Sequence, residues 1–185
     1  MGKVLALCGS PEGHKHNIAK EILARIPLRS KMITSVTTAS EKDTDIPGEF
    51  ENVATQSDFY RQKKDGGILA PGWYGANLIG IKKDSVTAVL QTQDQFGLVI
   101  LEDNILRPLL LAPLQDFLSP DYLLSESLIV FYIVPPRQED SERRADDQRA
   151  IERFVRGSRV VVHFLYSGVK PPEEIADEVL KHLKL

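Results

Sequence analysis

The sequence holds one cysteine, one tryptophan and two methionines in 185 residues. A lone cysteine excludes an intramolecular disulfide and fits a reducing compartment. Charge of one sign is also scarce, for the formal net charge is only −3. That balance gives no basis for binding nucleic acid or an anionic membrane surface. No apolar run approaches the ~20 residues of a membrane-spanning helix, and the run after Lys3 is too short for a signal peptide. Internal repeats and low-complexity linkers are missing too. Together these absences predict a cytoplasmic chain folded as a single domain over residues 1–185, with no nucleic-acid partner and no membrane insertion. What is present is ordinary: 42% apolar and 26% charged residues, in a chain long enough to bury a full core.

The most informative stretch is at the start. Val4 to Cys8 is an apolar run of strand length that breaks at Gly9. Turn-prone residues follow, and a helical period begins at Ile18. Strand, glycine-bearing loop and helix is the layout of a phosphate-binding loop, in which backbone N–H groups and a helix N-terminus cradle anions. The full motif is G-x-x-x-x-G-K-[ST]. Gly9 and Lys15 keep its spacing, but His14 replaces the second glycine and His16 the hydroxyl residue. A histidine brings a Cβ and a ring to a position where the backbone must approach a phosphate. A neutral imidazole is a poor ligand for the hard magnesium ion that the hydroxyl would hold. Gly13 is the one nearby residue able to stand in for the displaced glycine. Two readings of Lys15 stay open: a surviving phosphate ligand, or a solvent-exposed lysine in a helix-starting turn. His14 and His16, two apart with no third ligand near in sequence, read as surface residues rather than a metal site.

Along the rest of the chain, apolar runs alternate with helical patterns. Strands are predicted near residues 3–8, 31–37, 98–102, 128–134 and 159–165. Helices are predicted over residues 17–25, 58–64, 84–92, 139–155 and 172–185. Buried strands alternating with helices argue an α/β fold with a parallel sheet of about five strands. Residues 39–81 differ in texture, with a short strand near 49–54 and a glycine-broken hairpin over 68–81. They read as a small antiparallel, β-rich insertion into a core made of residues 1–38 and 82–185. His163 lies in an apolar strand and reads as a core histidine.

The order of elements, with particular residues, resembles the guanylate kinase family. Ser35-Val36-Thr37-Thr38 is similar to that family's S-x-T-T-R-x-x-R segment. Trp73 to Gly80 matches its G-x-Y-Y-G hairpin in placement, Leu98 to Asn104 its I-L-D-x-D strand, and Ile133 to Pro136 its strand ending in a proline pair. The resemblance implies a nucleoside monophosphate kinase architecture over nearly the whole chain. It also implies an acceptor site whose arginine pair falls at Ala39 and Lys42, with the adjoining acidic residue at Asp45. Its phosphate-donating tyrosines fall at Glu51 and Ile79, its guanine-reading glutamate at Ala70, and its central-strand acidic residues at Glu102 and Asn104. The lid, about residues 137–153, is reduced, leaving arginines such as Arg144 and Arg153 in a charged helix.

Lysine is a point charge where arginine is a bidentate fork, and alanine offers nothing. The expectation is therefore a catalytically inactive guanylate-kinase-like domain retained as a protein-interaction or phosphate-ligand-binding module, with no cofactor. Gly9, Gly13 and Lys15 would then form a degenerate nucleotide loop. Ser35, Lys42, Asp45 and Glu102 would line the substrate side. The alternative is a divergent nucleoside monophosphate kinase using magnesium–ATP, with Lys15, Arg144 and Arg153 acting on the transferred phosphoryl group.

Overall fold

The computed structural model describes residues 1–9, 14–40, 42, 45–101, 105–106, 109, 127–134, 149, 160–167 and 170–185. The elements run β1 (Lys3–Gly9), α1 (Lys15–Arg25), β2 (Ser30–Met32), β3 (Ser35–Thr37), β4 (Phe50–Asn52), α2 (Gln56–Lys64), β5 (Ile68–Tyr74) and β6 (Asn77–Lys82). They continue as α3 (Lys83–Leu90), β7 (Phe96–Ile100), β8 (Leu128–Val134), β9 (Val161–Tyr166) and α4 (Pro172–His182). Five strands in the order β2-β7-β1-β8-β9 make the main sheet, and every pairing in it is parallel.

β1 shows why this sheet is covered on both sides. Alternate residues point to opposite faces. Val4, Ala6 and Cys8 join one apolar cluster with α3 residues Val86, Val89 and Leu90. Leu5 and Leu7 join the other, with Ile18 and Ile22 of α1 and Ile175 and Val179 of α4. These five residues of β1 are each 3% exposed or less. A strand buried on both faces must be a continuous apolar run, which is how β1 reads in the sequence.

The β-branched run at 31–37 is not one strand. Ser30–Met32 pairs with β7 in the parallel sheet, while Ser35–Thr37 pairs with β4 and β6 in a second sheet of order β4-β3-β6-β5. Thr34 makes the break. Its N–H donates to Ser85 Oγ at 3.0 Å and its Oγ1 to the Gly48 carbonyl at 2.9 Å, so it leaves the β7 ladder. A β-branched run satisfies either sheet, and nothing local in the sequence marks the switch. The second sheet thus draws in residues ahead of the 39–81 stretch, and it is mixed: β3–β4 is parallel, β3–β6 and β5–β6 antiparallel. Its outer face packs Val36, Ile68 and Leu78 on Phe59 of α2. Thr55 caps α2, its side chain accepting the Asp58 N–H at 3.1 Å. The helix expected at 139–155 lies outside the described residues apart from Arg149.

Candidate functional site

A cleft of about 110 Å³ lies where the first turn of α1 and the C-terminal end of β7 meet the inner face of the second sheet. Ligands of open parallel sheets bind outside the carboxyl ends of the strands. β3 alternates, so Ser35 and Thr37 face the cleft while Val36 faces the α2 side. Ile79, Ile81, Ile100 and Ile105 give it an apolar floor.

Ser35, Lys42 and Asp45, expected on the substrate side, all line this cleft. So do Ala39 and Ile79, at the positions where the resemblance puts an arginine and a tyrosine donor. Two other positions differ from expectation. Glu51 does not line the cleft. In a strand, neighbours of an inward residue point outward, and β4 presents Phe50 and Asn52 to the cleft instead. Glu51 pairs with Lys82 and accepts from Gln62 Nε2 at 3.4 Å. The Lys82 hydrogen bond, helped by that ammonium's charge and opposed by partial burial, holds its carboxyl below the ordinary glutamate value. Ala70 is likewise absent from the lining: it sits at φ 45 in the bulge between Leu69 and Gly72, buried in the main core.

The structure overturns one of the two readings of Lys15. Lys15 is not solvent-exposed; it is 3% exposed. Its Nζ donates to the Gly9 carbonyl at 2.6 Å and the Leu101 carbonyl at 3.2 Å, joining the loop to the residue that follows β7. Gly9 has φ +114, and a Cβ there would fall on the Ile133 carbonyl oxygen, so only glycine fits. His14 has a left-handed backbone, φ 55 and ψ 30, of the kind glycine adopts readily. Its ring is exposed. Gly13, Glu102, Arg144 and Arg153 lie outside the described residues.

The His16 side chain is 44% exposed, as a surface residue is expected to be, but it has a partner that the sequence did not show. Its Nε2 lies 2.9 Å from Glu49 Oε1, and the Glu49 side chain is only 4% exposed. Glu49 Oε2 accepts the Ile46 N–H at 2.9 Å, and Glu49 backbone groups bond Ile46 and Ser35, so the carboxylate is fixed. The signal for this pair was a histidine in a hydroxyl's place, but its partner stands 33 positions later, at the start of the short strand expected near 49–54. Magnesium does not fit here. The motif's hydroxyl is missing, and the imidazole that replaces it is already engaged by a carboxylate. Among the described residues, no group of three or more His, Cys, Asp or Glu side chains is arranged to hold a metal ion.

The retained threonines are structural. Thr37 Oγ1 donates to the Leu78 carbonyl at 3.0 Å and accepts the Ala39 N–H at 3.1 Å. Thr38 Oγ1 accepts the Leu78 N–H at 2.9 Å. Both fasten β3 to β6. At the far side of the main sheet, His163 is half-buried and stacks on Phe131, ring centroids 5.1 Å apart, with His182 at 4.2 Å. Burial, then the nearby His182 charge, holds it below the ordinary histidine value.

No helix among the described residues is long and apolar enough to cross a membrane. No family profile and no curated protein matches the chain in sequence. In structure it is similar to a crystal structure of guanylate kinase from Anaplasma phagocytophilum. The TM-score is 0.67 and identity 18%, over 99% of this chain and 85% of that one. The chain therefore has a guanylate-kinase-like fold: an all-parallel five-stranded sheet flanked by helices, with a separate mixed sheet that closes the cleft.

Proposed function

We propose that this guanylate-kinase-like domain does not transfer phosphoryl groups and serves as a binding module for a phosphate-bearing ligand or a protein partner. The observation that carries the reading is the His16–Glu49 pair. It stands where a working loop presents the magnesium hydroxyl. Phosphoryl transfer is catalysed by positioning and charge neutralisation, with little covalent chemistry. Losing one such preorganised interaction typically costs about 10²–10³ in rate. The cleft lacks several at once, with Ala39 and Ile79 in its lining, and although such losses are not additive they act in one direction.

A second reading, a divergent nucleoside monophosphate kinase, draws on one specific feature. His14 has a left-handed backbone of the kind glycine adopts readily, and Gly9 and Lys15 keep the motif's spacing around it. Titration calorimetry with magnesium–ATP, magnesium–GTP and GMP separates the two. The binding-module reading expects no magnesium-dependent nucleotide binding. Binding of magnesium–ATP that vanishes on adding EDTA, and in a folded Lys15→Met variant, supports the kinase and removes the module.

A further inference from the structure

The sequence has four histidines, and the two nearest its C-terminus meet at the β9 end of the main sheet, outside the cleft. His163 is carried by β9 and His182 by the last turn of α4. Their ring centroids are 4.2 Å apart at an interplanar angle of 36°. His163 also stacks on Phe131 of β8, with 20° between the planes. Phe131 is fully buried and anchors that stack, whereas His182 is exposed. Among the described residues, neither imidazole has a hydrogen bond or an ion pair. Glu178, one helical turn before His182, pairs with Lys170 instead. A phenyl ring would stack on Phe131 as well as an imidazole does. What the two histidines add is nitrogen, and half-buried polar groups left unbonded call for a partner.

We propose that His163 and His182 form a two-imidazole site for a borderline divalent transition-metal ion, of the class of Cu²⁺, Ni²⁺ and Zn²⁺, which clamps the last turn of α4 to β9. Neutral imidazole is a preferred ligand of these ions. Their bonds to imidazole nitrogen are about 2.0–2.1 Å long. The ring centre lies about 1.1 Å beyond the nitrogen, so imidazoles at adjacent corners of a square or octahedron have centroids about 4.5 Å apart, and at tetrahedral corners about 5.2 Å. The observed 4.2 Å is nearer the right-angled value. A small shift and a turn of the exposed His182 ring bring one nitrogen of each residue onto a shared ion. Right-angled placement suits Cu²⁺ and Ni²⁺ better than Zn²⁺, and the order of intrinsic affinities also puts Cu²⁺ first. Among the described residues no third His, Cys, Asp or Glu side chain joins the pair, so water completes the coordination. An ion held this way by the folded chain stabilises it by mass action. The site is independent of the binding-module reading.

Titration calorimetry of the tag-free full chain with Cu²⁺, Ni²⁺ and Zn²⁺ salts near neutral pH tests it. One equivalent is expected to bind at micromolar affinity, Cu²⁺ most tightly. Ni²⁺ at about tenfold its Kd should raise the melting temperature by roughly 3–6 °C. His163→Phe keeps a ring on Phe131 and removes the nitrogens, and His182→Gln removes the exposed ring. Each should weaken Ni²⁺ roughly tenfold or more and abolish the melting shift. His182 is exposed, so His182→Gln decides the matter if His163→Phe does not fold. His14→Gln should bind the ion like the parent. Electron paramagnetic resonance of the one-to-one Cu²⁺ complex should show coupling to two imidazole nitrogens. Coupling to only one overturns the proposal. So does the absence of heat at millimolar metal, a folded His182→Gln variant that binds Ni²⁺ like the parent, or loss of binding in His14→Gln.

Discussion

Replacing Lys15 by methionine removes a buried ammonium while keeping most of the unbranched stem. Lys15 is 3% exposed and donates to carbonyls at 2.6 and 3.2 Å. A hydrogen bond from a charged donor contributes roughly 1.5–3 kcal/mol net, the shorter contact toward the upper end. Against this stands the cost of keeping the ammonium out of water, which offsets much of the second bond. The balance predicts a loss of about 2–3 kcal/mol, with the Gly9 and Leu101 carbonyls each losing a donor. For a domain of this size each kcal/mol moves the melting temperature by about 2–4 °C, so the variant should melt roughly 5–10 °C lower. Thermal and urea unfolding followed by circular dichroism would show it, with the urea m-value unchanged. An unchanged or raised melting temperature would refute the reasoning. The two carbonyls would then contribute nothing net, and Lys15 would be stored for a ligand rather than fastening the loop.

Gly9→Ala combines φ +114 with a Cβ placed on the Ile133 carbonyl oxygen, so it should cost roughly 3 kcal/mol or leave the chain unfolded, read from the same urea curves. His14→Gly relieves a left-handed residue at φ 55 but loosens the unfolded chain, and the difference should raise stability by about 0.5–1 kcal/mol. For pH, His163 is held below the ordinary histidine value by burial and by His182, so the unfolded chain binds the extra proton first as pH falls. Its contribution is intact above about 6.5 and declines as pH drops below that value. Urea midpoints at pH 7.5 and 5.5 should therefore fall with acid in the parent and less in His163→Phe, and parallel shifts in both proteins would show that His163 is not the cause.

Much of the main sheet was legible because its strands are buried on both faces. Val4 to Cys8, Leu98 to Ile100 and Leu128 to Val134 can only be continuous apolar runs. The split at Thr34 was not legible, since it depends on Ser85 and Gly48, both remote in sequence. The cleft was half legible. Ser35, Lys42 and Asp45 gather as the resemblance implies. The outward turn of Glu51 follows from strand alternation combined with a one-residue uncertainty in register, and such a slip exchanges the two faces of a strand. The His16–Glu49 pair joins α1 to the second sheet, and only folding brings these residues together. Lys15 shows the same limit: its spacing from Gly9 is local, but its burial depends on Leu101, 86 residues away.

Steady-state phosphoryl transfer tests the central claim most directly. ATP, magnesium and GMP would be supplied to the full chain in excess, and GDP would be followed by a coupled assay. With His16, paired to Glu49, at the motif's hydroxyl position and with Ala39 and Lys42 at the arginine-pair positions, the chain should give no turnover above the protein-free control. GDP formation at about one per second or faster, within the ordinary enzyme range, would contradict that account and make the chain a kinase.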